Sequence, residues 1–228
     1  MKIVAVIPAY NEAATIRDVA ARSLAVLPEV IVVNDGSTDE TAAALEGLAV
    51  TLISNPVNLG KGASLVRGFA LALAEGADAV VTLDGDAQHC PEDIPRLVEA
   101  ARAQPERIII GARLWDRGKV PPLRYFGNRF ANFWVAWAAG FPVADSQSGF
   151  RLYPAKVLRS VRAVDNRFAF ESEILIEAGR AGVATSAVPI AALYPRNARR
   201  SHYRGALDTA RIVRMIAGKL FSPGRSEA

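Results

Sequence analysis

Five short apolar runs recur along the chain, at Ile3–Ile7, Val30–Val33, Val50–Ile53, Ala79–Leu83 and Ile108–Gly111. Helical patterns lie between them, at Ala13–Leu27, Asp39–Leu48, Gly62–Glu75 and Ile94–Ala103. Short strands joined by helices with brief connections leave few arrangements open. The strands run mostly parallel in one sheet, and the helices cover its faces. A length of 228 residues is enough for one such α/β domain, and 51% apolar with 22% charged residues fits a packed chain rather than a disordered one. After Gly111 the pattern changes. Residues 112–145 are rich in Arg and aromatics, a helix is expected near Phe170–Ala181, and Ala187–Leu193 reads as a last strand. We read a single domain over 1–204, followed at 205–228 by a basic amphipathic helix and tail in which Gly205–Leu220 sets apolar residues among bases.

Several classes are set aside by composition. One cysteine, Cys90, excludes an internal disulfide and a multi-cysteine zinc site, which suits a reducing compartment. The opening run stops at Pro8, too soon for a secretory signal. No apolar stretch approaches the roughly 20 residues of a spanning helix. The net charge of +4 is unevenly spread, with bases concentrated from Arg196 onward. Such a tail suits nucleic acid, phosphate groups or an anionic membrane surface, or is simply a solvated helix face.

Open parallel sheets bind ligands at the carboxyl ends of their strands, so what each strand delivers there matters. The runs deliver, in order, Pro8-Ala9-Tyr10-Asn11-Glu12, Asn34-Asp35-Gly36-Ser37-Thr38-Asp39, Asn55 with Asn58-Leu59-Gly60-Lys61-Gly62, then Asp84-Gly85-Asp86-Ala87-Gln88-His89, and Ala112-Arg113. Two carboxylates at alternate positions repel each other unless a cation or a ring of donors intervenes. A Mg²⁺ ion shared with a phosphate would do this, and so would a solvated acidic turn. Ser37 and Glu40 match a capping box and are assigned to starting the Asp39–Leu48 helix, which leaves Asp35 as a ligand candidate. Lys61 lies where it could reach a phosphate, or it simply opens a helix. Other motifs fail. There is no P-loop, no third glycine for a dinucleotide fold, and no EF-hand, since His89 and Pro95 would occupy its glycine and glutamate positions. His89 beside Cys90 reads as an ordinary turn.

Taken together, Val6–Glu12, Val33–Asp39, Asn58–Gly62, Leu83–His89, Gly111-Ala112-Arg113, Gly127–Asn132 and Asp145–Tyr153 closely resemble the family 2 inverting glycosyltransferases, most of all the polyprenyl-phosphate sugar synthases. The resemblance runs from residue 3 to about 180. It implies a GT-A fold, Rossmann-like and mostly parallel, with a nucleotide-sugar donor and Mg²⁺ or Mn²⁺. Asp35 would hold the base or ribose, with Pro8, Tyr10 and Glu12 lining the same pocket. Asp84, Asp86 and Gln88 would hold the metal and through it the diphosphate. Arg113 and Arg129 are expected near donor or acceptor phosphates. Where the family usually has two aspartates, Asn34 replaces the first. The trailing transmembrane hairpins of some relatives are missing, so attachment to a membrane is expected through surface helices.

Attack on the anomeric carbon needs a general base only when the nucleophile is a hydroxyl. Asp145, adjoining the Ser-Gly-Phe-Arg motif, and Glu171, on the same helical face as Ile174, Leu175 and Ala178, are the candidates. The aromatic stretch Phe133–Val143 is either core or an interfacial helix suited to a polyprenyl chain. The expected activity is hexose transfer from a GDP- or UDP-sugar to a lipid-linked acceptor at the cytoplasmic face of a membrane, by a peripheral protein with no nucleic-acid partner. A hydroxyl acceptor, a nucleotidyltransferase and a non-catalytic nucleotide-binding protein are the alternatives.

Overall fold

A computed structural model describes residues 1–113, 122–161, 163, 165 and 169–191. Seven strands form one sheet in the order β3-β2-β1-β4-β6-β5-β7. They are β1 (Ile3–Ala9), β2 (Val30–Asn34), β3 (Thr51–Ser54), β4 (Ala79–Thr82), β5 (Ile108–Arg113), β6 (Arg151–Pro154) and β7 (Thr185–Ile190). The helices are α1 (Ile16–Val26), α2 (Lys61–Ala74), α3 (Ile94–Ala103), α4 (Pro122–Ala139), α5 (Ala155–Ser160) and α6 (Phe170–Arg180). All pairings are parallel except those of β6, which runs antiparallel between β4 and β5.

Strand residues alternate between two cores, as period-two side chains must. Val4 and Val6 of β1 face α2, α4 and α6, meeting Leu65, Phe69, Val135 and Leu175. Ile3, Ala5 and Ile7 face α1 and α3, meeting Ile16, Val19, Ile94 and Leu97. Burial on both faces explains why the strands read as continuous apolar runs. Backbone amides of odd-numbered β1 residues bond toward β2, as in Ala5 N–H to the Glu29 carbonyl. Pro8 therefore turns its missing N–H toward β4, whose ladder with β1 has ended at Val6–Thr82. It removes nothing from the β1–β2 ladder and marks where β1 and β4 part, at the switch point of a doubly wound sheet.

Several expectations need correction. The Asp39–Leu48 helix is only a short 3₁₀ turn, Ala43–Leu45. Its capping box does not form, because tertiary partners claim the polar side chains. Ser37 Oγ accepts from the Asn11 amide, and Thr41 Oγ1 accepts from the Glu12 amide while donating to Asp39. The segment Arg151–Pro154, not expected as a strand, completes the sheet as β6. Helix α4, foreseen only as the aromatic stretch near Phe133, starts much earlier. The last run is displaced, with β7 at Thr185–Ile190 rather than Ala187–Leu193. The domain boundary at 204 and the Gly205–Leu220 helix lie outside the described residues.

Candidate active site

The segments following β1 to β5 and the loop that leads into antiparallel β6 meet at one sheet edge. Asp84 leaves β4 there and accepts an ion pair from Lys61 Nζ at 2.5 Å, and the same ammonium reaches Glu171 Oε1 at 2.8 Å. Lys61 is the first residue of α2 and Glu171 lies in the first turn of α6. Gly149 closes the cluster. A Cβ there would lie 2.7 Å from Asp84 Oδ2, 2.8 Å from Glu171 Oε1 and 2.8 Å from Lys61 Nζ, so only glycine lets these three charges meet. Helix α6 is itself seated closely: a Cβ on Gly179 would overlap the Ala139 carbonyl of α4.

Asp86 accepts from the Gln88 backbone amide at 3.0 Å and from Gln88 Nε2 at 2.8 Å. Between them Ala87 takes a left-handed φ of 60°, a conformation that costs a non-glycine residue about 1 kcal/mol or more. Burial, and then the Asp84 charge, raise the Asp86 carboxyl to about 6. His89, read from sequence as an ordinary turn, is 3% exposed and stacked near Phe150, with ring centroids 5.4 Å apart. Its Nδ1 has no hydrogen-bond partner and stands 3.9 Å from Asp84 Oδ2. Burial lowers this imidazole to about 4, so it is neutral near pH 7.

Asp35 is buried at the end of β2 with both oxygens engaged. It accepts from Asn55 Nδ2 at 2.7 Å and from the amides of Leu59 and Gly60 at 2.9 and 2.8 Å. Its carboxylate thus shapes the turn that launches Lys61. Pro8 is buried within β1, and Tyr10 and Glu12 follow it half-buried. Arg113, at the end of β5, grips fully buried Asp145 with two parallel bonds, Nε to Oδ2 at 2.8 Å and Nη2 to Oδ1 at 3.0 Å. The Gln147 and Arg113 backbone amides add two more donors, at 3.1 and 3.3 Å. Asp145 therefore aims Arg113 in this arrangement. Arg129 stands exposed on α4, one turn before Asn132, whose side chain bonds Ser146 and the Ala144 carbonyl.

Sequence reasoning passed over Arg151, the largest fully buried side chain among the described residues. Its Nε donates to the Ser148 carbonyl at 2.7 Å, Nη2 to the Ser146 carbonyl at 2.8 Å, and Nη1 to the Glu171 carbonyl at 2.6 Å and Tyr153 Oη at 3.3 Å. One guanidinium fork thereby fixes the loop carrying Asp145 and Gly149 against the start of α6. The signal was present as the last letter of the Ser-Gly-Phe-Arg motif.

Among the described residues no set of three or more Asp, Glu, His or Cys groups converges as a metal cage. Asp84 and Asp86 lie close enough to interact, with the Gln88 side chain bonded to Asp86, and their oxygens fit a hard ion that keeps water and phosphate oxygens as its other ligands. Burial and the adjacent Asp84 charge, which together raise Asp86, and the orphaned Nδ1 of His89 beside Asp84 fit a site completed by a cation.

A mostly parallel α/β sheet with helices on both faces and an acidic cluster at a strand end beside its switch point is the architecture of the GT-A class. The chain belongs to glycosyl transferase family 2, whose model matches residues 4–161, and it is a glycosyltransferase. It is 30% identical over 203 residues to an undecaprenyl-phosphate mannosyltransferase of Micrococcus luteus, covering 83% of each chain. It is 31% identical over 199 residues to a polyprenol monophosphomannose synthase of Mycolicibacterium smegmatis, covering 81% of this chain and 75% of the relative. The fold is shared with glucosyl-3-phosphoglycerate synthase of Mycobacterium tuberculosis, solved with Mg²⁺ and uridine diphosphate. That match has a TM-score of 0.74 at 24% identity over 98% of this chain and 81% of the other.

Proposed function

We propose that this glycosyltransferase moves a hexose from a GDP- or UDP-sugar to a polyprenyl phosphate, inverting the anomeric centre, with Mg²⁺ or Mn²⁺ held by Asp84, Asp86 and Gln88. The observation that carries the acceptor is the state of the two candidate bases. Asp145 is spent on Arg113 and Glu171 on Lys61, so neither is offered to a hydroxyl proton. An ionised phosphate needs no base. Its oxygen forms the new bond to C1 from the face opposite the diphosphate. The C1–O bond to the donor breaks, and its electron pair leaves on the nucleoside diphosphate. A divalent ion supplies charge neutralisation for that leaving group, without any proton donor. The nucleoside end of the donor site lies at Pro8, Tyr10 and Glu12, beside the Leu59–Gly60 turn that Asp35 holds in place. Lys61, Arg113 and Arg129 serve the phosphates. The relatives named for undecaprenyl phosphate and polyprenol monophosphomannose support this acceptor class, and the Mg²⁺–uridine diphosphate neighbour supports the donor.

The test is incubation with Mn²⁺, a panel of labelled GDP- and UDP-sugars, and polyprenyl phosphate. Label is expected in the organic phase only when the phosphorylated lipid is present. Donor hydrolysis with no lipid product, or equal transfer to the unphosphorylated alcohol, would overturn the acceptor.

Transfer to such a lipid takes place at a membrane surface, and we assign the protein to the cytoplasmic face as a peripheral partner. No described helix is long and apolar enough to cross a bilayer. On α4, however, Phe130, Phe133 and Trp137 are 54%, 61% and 57% exposed and share one helical face. Aromatic rings in that arrangement suit an interfacial helix lying in the headgroup region. Changing all three to Ser is expected to lower sedimentation with anionic vesicles at least about tenfold while leaving the thermal midpoint within a few degrees. Unchanged vesicle binding would remove α4 from the membrane contact.

A further inference from the structure

Lys61 is more than a phosphate-reaching cation. Its ammonium already sits on Asp84 Oδ1 and Glu171 Oε1, and its side chain is mostly buried. The Asp84 side chain is 26% exposed, and its Oδ2 faces Gly149 and the His89 Nδ1 at 3.9 Å. A cation arriving at Asp84 takes the oxygen that Lys61 holds or sits beside a positive charge on the same carboxylate.

We infer that the Lys61 ammonium is a resident counter-ion which a divalent metal displaces from Asp84, so that Lys61 opposes metal binding until a nucleotide diphosphate gives the displaced ammonium a new anionic partner. This rests on the proposed reading that Asp84 and Asp86 hold the metal. The exchange is mechanically simple. The root of Lys61 is fixed, because the Gly60 amide before it is tied to Asp35. Its four-carbon stem is flexible and carries a compact charge that changes partners without rearranging the backbone. Glu171 remains as one partner throughout, and the diphosphate takes the place of Asp84 as the other. Metal and nucleotide then bind with favourable coupling, and linkage makes the coupling reciprocal.

The experiment measures Mn²⁺ affinity by calorimetry, with and without uridine or guanosine diphosphate, for the wild type and Lys61→Met. The variant is expected to bind Mn²⁺ alone about tenfold more tightly than the wild type, and to gain less from nucleotide, a change within the usual range of binding couplings. Equal or weaker Mn²⁺ binding by the variant overturns the proposal while leaving the metal site standing. A wild type that binds no Mn²⁺ even with nucleotide overturns the metal site, and the proposal with it. A second measurement needs only the wild type as the observed protein. With lysine side chains isotope-labelled and the Lys61 signal assigned from Lys61→Arg, Mg²⁺ is titrated without nucleotide. The Lys61 signal is expected to move in step with Mg²⁺ binding. Binding that leaves it unmoved overturns the displacement.

Discussion

Replacing Asp86 with Asn is expected to lower turnover by about three orders of magnitude, roughly 4 kcal/mol of transition-state stabilisation, while making the metal-free protein more stable. The two effects share one cause. The Asp86 carboxyl is raised from its ordinary 3.8 to about 6 by burial and by the neighbouring Asp84 charge, so its ionised form is held at a cost in the folded protein. Below pH 3.8 both folded and unfolded chains carry the proton and nothing is lost. Between 3.8 and about 6 the folded state keeps a proton the unfolded state has released, and stability falls as the pH rises. Above that window the deficit levels off at about 3 kcal/mol. The amide of the Asp86→Asn variant carries no such charge. Its side-chain oxygen still accepts from the Gln88 amide, and a turned Gln88 side chain restores the second bond. Denaturant midpoints measured without divalent metal should therefore coincide below about pH 4 and separate through about pH 6, the variant being the more stable. A gap that stays closed across this range would show that Asp86 is compensated without a cation. Retention of near-wild-type turnover would remove Asp86 from the metal site.

The strand ends were legible because most of the strands before them, β1, β2 and β4 among them, are apolar runs buried on both faces, and the polar residues after them stand out. Helix α3 was readable to the residue, since Pro91 and Pro95 mark its start and Leu97 and Ala101 its buried face. Local signals misled where tertiary partners outbid them. Ser37 and Glu40 match a capping box, but the turn after β1 takes the Ser37 hydroxyl, and that of Thr41 as well, so the helix after β2 shrinks to a 3₁₀ turn. Strand β6 was invisible for a different reason. Arg151 and Pro154 are poor strand residues, tolerated because the guanidinium has carbonyls waiting and β6 is too short to need every ladder bond. The meeting of Lys61 with Glu171 also could not be read from spacing. The two belong to helices packed on the same face of the sheet, and only the crossing of those helices with the Gly149 turn brings their charges together.

Arg151→Met is expected to cost about 3–5 kcal/mol of unfolding free energy, read from denaturant curves, the largest stability loss of any single change at this site. The guanidinium is fully buried, and its bonds go to the main-chain carbonyls of Ser146, Ser148 and Glu171. Methionine fills much of the volume but donates nothing, so three buried acceptors lose a charge-assisted partner together. Each orphaned group costs about 1–3 kcal/mol, and relaxation of the loop recovers part of the total. Arg151→Lys separates charge from shape. Lysine restores the positive charge, yet its single ammonium cannot span carbonyls approached by Nε, Nη1 and Nη2 from different sides. It should recover less than half of the loss. Full recovery by lysine would mean that charge, not the fork, holds the loop, and a loss under about 1 kcal/mol for Met would mean the loop holds itself. The consequence for function is direct. The same carbonyls set the position of Gly149 and the start of α6, hence the gap in which Asp84, Lys61 and Glu171 meet. Residual folded Arg151→Met protein should therefore bind nucleotide through the Asp35 side of the site, but carry the acceptor side out of register.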